Sequence, residues 1–139
     1  DDLVAARLRE RLEPARHLLP HRASEWPRFA LFAVTAGVCE ELLFRGFVAW
    51  VLMQWCGPWP GLALQAVLFG VAHAYQGRAG MLRTGFAGAF LTALLVITGS
   101  LWASMLFHAL MDLHAGHLAL RLYGSDEPGD GADAVVEAS

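Results

Sequence analysis

The chain has 139 residues, of which 56% are hydrophobic and only 17% are charged. Soluble domains carry about 25% charged residues, so this composition favours a protein embedded in a lipid bilayer. The length allows one domain, and the absence of interleaved basic and aromatic residues excludes a nucleic-acid-binding surface.

The charged residues are concentrated at the two ends of the chain. Residues 1–28 contain six arginines, whereas residues 124–139 contain five acidic residues and no basic one. The chain begins with Asp-Asp and has no signal-like start, which is the pattern expected of a piece of a longer protein.

The first segment combines leucines with arginines at helical spacing over residues 3–22, with breaks at Pro14 and Pro20. This pattern is typical of a basic amphipathic segment that lies on a membrane surface. A solvated linker is the alternative interpretation. We therefore treat residues 1–27 as an interfacial segment or linker.

Four apolar stretches follow and predict an all-α fold, a polytopic transmembrane helix bundle over residues 28–122. Their ranges are 28–56, 61–75, 82–98 and 101–122. The second would be only about 22 Å long as a helix, which is marginal for crossing a bilayer. We expect breaks at the Gly/Pro-rich residues 57–61, at a loop over 77–80 and at residues 99–100. The acidic tail, residues 123–139, is predicted to be disordered.

The distribution of arginines predicts an orientation. If residues 1–27 face the cytoplasm, the turn at 57–60 lies outside and the loop at 76–82 lies inside. The turn at 99–100 is then outside, and every arginine except Arg45 lies on or near the cytoplasmic side, as the positive-inside rule requires. The sequence therefore predicts an integral protein of the cytoplasmic (inner) membrane with both termini in the cytoplasm.

Three charged residues lie in the interior of the first apolar stretch, beyond Arg28 at its boundary. Each buried charge costs about 2.5–3.5 kcal/mol on membrane-insertion scales, so their presence needs an explanation. Glu41 and Arg45 are four residues apart on one helical face and can form an ion pair. Glu40 is rotated by about 100° from Glu41 and has no partner nearby in the sequence. Glu40 is therefore the candidate general base.

Further ionisable residues occur in the second and fourth apolar stretches. The second contains Phe69-Gly-Val-Ala-His73, and the fourth contains His108-Ala-Leu-Met-Asp112. His108 and Asp112 share a helical face, so they can bind each other or a common water molecule. An ionisable residue in the membrane interior marks a functional site by default.

Two histidines, a free glutamate and an aspartate on three apolar helices suit the activation of a water molecule. A glutamate can deprotonate water, and histidines can position it or stabilise an oxyanion. Glu40, His73 and His108 could alternatively bind zinc, because two histidines and a carboxylate form a known zinc site. No His-Glu-x-x-His motif is present to place two ligands on one helix, so we favour the glutamate base over zinc.

Three motifs in this order resemble the CPBP family of intramembrane proteases, which includes the CAAX prenyl endopeptidases and bacterial relatives linked to bacteriocin self-immunity. The resemblance covers residues 28–120. Its motifs are Glu40-Glu41-x-x-x-Arg45, Phe69-x-x-x-His73 and His108-x-x-x-Asp112. The last position is often Asn in the family, whereas this chain has Asp112.

The resemblance implies a role for each catalytic residue. Glu40 would activate the water and His73 would hold it. His108 and Asp112 would support the oxyanion or a metal. The implied cofactor is none for a glutamate protease, or zinc for a metal-dependent one.

The resemblance also implies three supporting residues. Glu41 and Arg45 would brace the site, and Phe69 would pack beneath it. Because His73 lies close to the cytoplasmic end of its stretch, we expect a water-filled cavity that opens to the cytoplasm.

The leading hypothesis is therefore hydrolysis of a peptide bond in a protein or peptide substrate at the membrane. One alternative is a non-catalytic membrane scaffold or a bacteriocin-immunity-type protein with the same fold, although every expected catalytic position is filled. Another is a proton-coupled transporter, since transporters also use intramembrane Glu, His and Asp. A transporter predicts internal repeats, and none is visible between residues 28–75 and 82–122. The sequence predicts no particular oligomeric state.

Overall fold

The computed structural model describes residues 2–124, and every regular element in this range is helical. The α-helices are α1 (Asp2–Leu12), α2 (Trp26–Glu41), α3 (Ala49–Cys56), α4 (Pro58–Ala72), α5 (Gly77–Thr98) and α6 (Leu101–Tyr123). Three 3-10 helices cover Glu13–Leu18, Ala23–Glu25 and Ala74–Gln76, and a π-helix covers Leu42–Val48. The predicted all-α class is confirmed for this range. The predicted tail lies outside the described residues, apart from Tyr123 and Gly124.

The first apolar stretch forms one continuous rod from α2 through the π-helix Leu42–Val48 to α3. Helical backbone angles are retained at both junctions, at Leu42 and at Ala49. Periodicity predicts the rod but not the π-helix. π-turns inside α-helices occur frequently at functional sites, and this one contains Arg45.

The predicted loop at residues 77–80 is wrong. The chain reverses over the 3-10 helix Ala74–Gln76, and α5 starts at Gly77, which has a φ of 75°. Because glycine adopts this positive angle without steric cost, the turn is completed at one residue. Arg78 and its neighbours then form the first turn of α5 instead of a loop.

The helices approach closely where small residues face each other. α2 packs along α6, and α4 packs against both α3 and α5. A Cβ added at Gly37 would lie 2.9 Å from the backbone nitrogen of Ala109, and one at Gly70 would lie 2.8 Å from the carbonyl oxygen of Met81. The backbones of α2 and α6 are therefore almost in contact, as small residues permit in helix packing.

The N-terminal segment packs against the bundle. Arg9 donates a hydrogen bond from Nη2 to the carbonyl oxygen of Leu122, at 2.8 Å. The guanidinium of Arg16 lies 5.1 Å from the centre of the Tyr123 ring. The 3-10 helix Glu13–Leu18 contacts the turn that precedes α5. The segment is thus held against the end of the bundle where α5 begins and α6 ends.

One helix in the described range, Ala74–Thr98, is long and apolar enough to cross a membrane by length and composition. Helix Pro58–Ala72 is apolar but shorter. Large apolar side chains are exposed along the bundle, among them Trp55 at 84%, Ile97 at 82% and Phe86 at 76%. These features support a membrane location, whereas the arrangement with four spans stays a prediction.

Candidate active site

A buried carboxylate lies at the centre of the site. The Glu41 side chain is fully buried, and its Oε1 accepts hydrogen bonds from Arg45 Nη1 and from His108 Nδ1, each at 2.8 Å. In the hydrogen bond between His108 and Glu41, Nδ1 is the donor, because an ionised carboxylate can only accept hydrogen bonds. The ion pair expected between Glu41 and Arg45 from their spacing is confirmed.

The guanidinium of Arg45 is held from three sides. Besides Glu41, it donates from Nη2 to the carbonyl oxygen of Gly88 at 2.9 Å, and its Cζ lies 4.1 Å from the centre of the Phe69 ring. A cation in this position is attracted to the face of an aromatic ring. A Cβ at Gly88 would lie 2.8 Å from Phe69 and 3.1 Å from Arg45, so this position requires glycine.

A polar network continues beyond Arg45 and was missed by the sequence reasoning. The Thr92 hydroxyl lies 2.8 Å from the Gly88 carbonyl oxygen and 2.9 Å from Gln65 Oε1. Gln65 is fully buried. The Gln65 amide within the apolar sequence of α4 could have indicated this network, because a buried polar side chain requires hydrogen-bond partners.

Phe69 lies between the two histidines. Its ring centre is 4.7 Å from that of His73 and 5.9 Å from that of His108. The ring of Phe44 also packs against Phe69, with the two ring centres 5.0 Å apart. Phe69 is only 2% exposed, so it fixes the separation of the histidines by packing.

The structure brings Glu40 to both histidines without direct hydrogen bonds. Glu40 Oε2 lies 3.7 Å from His73 Nε2 and 3.9 Å from His108 Nε2. Asp112 Oδ2 lies 3.7 Å from His108 Nε2. These separations exceed hydrogen-bonding distance, so the groups face each other without direct hydrogen bonds. Within residues 2–124, Glu40 Oε2 has no hydrogen-bond partner.

The hydrogen bonds at Nδ1 determine what each histidine presents to Glu40. His73 Nδ1 lies 2.8 Å from the carbonyl oxygen of Phe69, so it must donate there. His108 Nδ1 donates to Glu41. In a neutral ring the other nitrogen, Nε2, is then an acceptor. Glu40 and the two Nε2 atoms thus form a group of acceptors that requires a donor between them.

All four predicted catalytic residues line one cavity of about 380 Å³. They are Glu40, His73, His108 and Asp112. The side chains of Glu40 and Asp112 are 33% and 38% exposed, although Glu40 Oε2 itself is shielded from solvent. The cavity therefore connects these two side chains with the surface.

Zinc is the alternative expected for Glu40, His73 and His108. Within the described part of the chain, no group of three His, Cys, Asp or Glu side chains is arranged to hold a metal ion. His73 and His108 turn Nε2 towards Glu40, while Nδ1 of each ring donates to protein. Zinc-bound histidines commonly donate their second ring N–H in this way, so these hydrogen bonds suit a water-binding and a zinc-binding site equally.

The fold and the site define a helical protein with a buried polar cluster inside an apolar bundle. The chain belongs to the family described as type II CAAX prenyl endopeptidase Rce1-like, whose model matches residues 22–114. The family resemblance carried by the three motifs is thereby confirmed. This is a family of membrane-embedded proteases, and the match begins after α1 and the 3-10 helix Glu13–Leu18. The chain has no match among curated proteins or solved structures.

Replacement of Arg45 by leucine is expected to destabilise the protein strongly. Removal of one partner from a buried ion pair leaves the other charge unpaired, at a cost of about 3–5 kcal/mol. The measurement is thermal unfolding of the purified protein in detergent. The matched control is Arg78→Leu, because Arg78 is exposed and lies outside the cavity. Equal unfolding temperatures for the two variants would contradict the structural role of Arg45.

Proposed function

We propose that the chain is an intramembrane endopeptidase that hydrolyses a peptide bond of a membrane-associated protein through a water molecule activated by Glu40. The observation that carries this proposal is the convergence of two acceptors, Glu40 Oε2 and Nε2 of His73, on one cavity, with Nε2 of His108 beside them. A water molecule supplies the donors that this arrangement lacks. Membership in a protease family supports the same conclusion.

Glu40 acts first as a base and then as an acid. A water molecule between Glu40 and His73 donates one hydrogen bond to each. Its oxygen attacks the peptide carbonyl carbon while its proton passes to Glu40, and the carbonyl oxygen becomes an oxyanion. Glu40 then gives this proton to the leaving nitrogen, the C–N bond breaks, and the products are a carboxylic acid and an amine.

His108 is the proposed donor to the oxyanion. Because its Nδ1 donates to Glu41, the ring can donate from Nε2 only when it is protonated. The Glu41 carboxylate, 2.8 Å from Nδ1, balances that charge. Asp112, near Nε2, orients the same edge of the ring. Donors fixed in advance stabilise the charge that develops in the transition state.

A comparison of protein termini in cells tests this function. We expect new termini among membrane proteins when the wild-type protein is expressed in a null strain, and we expect their loss with Glu40→Gln. A missing general base lowers the rate by about 10²–10⁴-fold. Glu10→Gln is the matched control, because Glu10 is exposed and does not line the cavity.

The same experiment tests the alternative function. Identical termini in all strains, with the wild-type protein folded and abundant, would favour the non-catalytic scaffold or immunity-type protein. Mass spectrometry of the membrane fraction provides the measurement. The termini that depend on Glu40 would also identify the substrate. The family's name makes a prenylated CAAX segment the first substrate class to examine.

The proposed mechanism uses no zinc. We expect the purified enzyme to keep its activity after dialysis against a strong chelator, because Glu40 and the histidines act on water directly. Elemental analysis of the same sample should show no stoichiometric zinc. Loss of activity on chelation with recovery on adding zinc would instead favour a metal-dependent enzyme with Glu40, His73 and His108 as ligands.

We further propose that the protein crosses the cytoplasmic membrane four times, with both termini in the cytoplasm. The arginine distribution and the exposed apolar surface of the bundle support this topology. In a variant without Cys39 and Cys56, a single cysteine at position 59 should react with a membrane-impermeant reagent in intact cells. A cysteine at position 78 should react only after permeabilisation. The reverse pattern would overturn the orientation.

A further inference from the structure

Part of the active-site cavity is built by residues outside the family match. The match begins at residue 22, yet the N-terminal segment contributes several lining side chains to the cavity that contains Glu40. These are Arg11, Leu12, Ala15, Leu18 and Leu19. The segment therefore forms a wall of the same cavity that lies outside the family match.

Two arginines from different elements line the cavity. Arg11 belongs to α1 and Arg83 to α5, and both are exposed. They are joined by a hydrogen bond from Arg83 Nη2 to the Arg11 carbonyl oxygen, at 3.4 Å. Within residues 2–124, neither guanidinium forms an ion pair with an acidic side chain, so both charges are available to a ligand.

The cavity is lined by both acidic and basic side chains. Glu40 and Asp112 line it together with Arg11 and Arg83. Apolar side chains lie along the same cavity, including Leu18, Leu19, Phe29 and Phe32. A peptide with its scissile bond at Glu40 would place a neighbouring apolar residue against this wall and a nearby polar group at the arginines.

We propose that Arg11 and Arg83 form a subsite for a carboxylate of the substrate close to the scissile bond. Guanidinium groups match the geometry of a carboxylate and bind it through paired hydrogen bonds. A peptide carries this group either at its free C-terminus or on an acidic side chain. The cavity holds only about 380 Å³, so the carboxylate must lie within a few residues of the cleaved bond. This inference rests on the proposed function, because it assigns the site a peptide substrate.

Binding to an inactive full-length protein tests the subsite without hydrolysis. The protein carries Glu40→Gln, and the probes are three short fluorescein-labelled apolar peptides of otherwise identical sequence. The first ends in a free carboxylate, the second in an amide, and the third in an amide after a terminal Asp. We expect fluorescence polarisation to show about tenfold tighter binding of a probe with a carboxylate than of the neutral amide.

The arginine variants locate the effect. Arg11→Gln and Arg83→Gln, each added to Glu40→Gln, should remove the preference for the carboxylate. Arg7→Gln and Arg78→Gln should keep it, because they change exposed arginines of the same two helices that do not line the cavity. Thermal unfolding verifies that all four variants are folded. Tight binding of the third probe would identify a side-chain carboxylate, and tight binding of the first alone a C-terminal one.

Two results would overturn the subsite. One is equal binding, or absence of binding, for all three probes. The other is a carboxylate preference that survives when Arg11 and Arg83 are both replaced. The proposed function fails separately: a carboxylate preference without any Glu40-dependent cleavage in cells would keep the subsite and reject the protease. Glu40-dependent cleavage without a carboxylate preference would keep the protease and reject the subsite.

Discussion

The burial of Glu41 is the constraint on which the rest of the structure depends. A carboxylate without access to water is tolerated only when charged or polar donors surround it. Its Oε1 accepts a hydrogen bond from Arg45, in the same helical rod, and another from His108 in α6. One oxygen therefore joins two helices. Arg45 extends the connection to α5 through the carbonyl oxygen of Gly88. The buried ion pair of Glu41 and Arg45 thus connects three helices.

Close backbone contacts make this arrangement possible. Gly37 lies one helical turn before Glu41, and Ala109 directly follows His108 in the chain. Because the backbones almost touch at Gly37 and Ala109, Glu41 can reach His108 at 2.8 Å. Gly88 makes room for Arg45 in a similar way, because a Cβ at Gly88 would collide with Phe69 and press against Arg45. The small residues therefore serve the polar network as well as the packing of the helices.

The parts of the site that follow from local spacing could be predicted from the sequence. The pair of Glu41 and Arg45 needs only the helical period, and the family motifs bring His73 and His108 to Glu40. The π-helix, the roles of Gly88 and Gln65, and the helical start of α5 at Gly77 depend on contacts between distant parts of the chain. Periodicity contains no information on these contacts. For the same reason, the sequence did not reveal that the N-terminal segment lines the cavity.

The two adjacent glutamates on one helix lie in opposite environments. Glu41 is fully buried and accepts hydrogen bonds from Arg45 and His108, so its charge helps to hold the bundle together. Glu40 is rotated towards the cavity and is partly exposed, and within residues 2–124 its Oε2 accepts no hydrogen bond. A base must reach its proton donor, and Glu40 lines the cavity, whereas Glu41 is fully buried and does not line it. The proposal that Glu40 is the base therefore rests on its place in the cavity and on the engagement of Glu41 with Arg45 and His108.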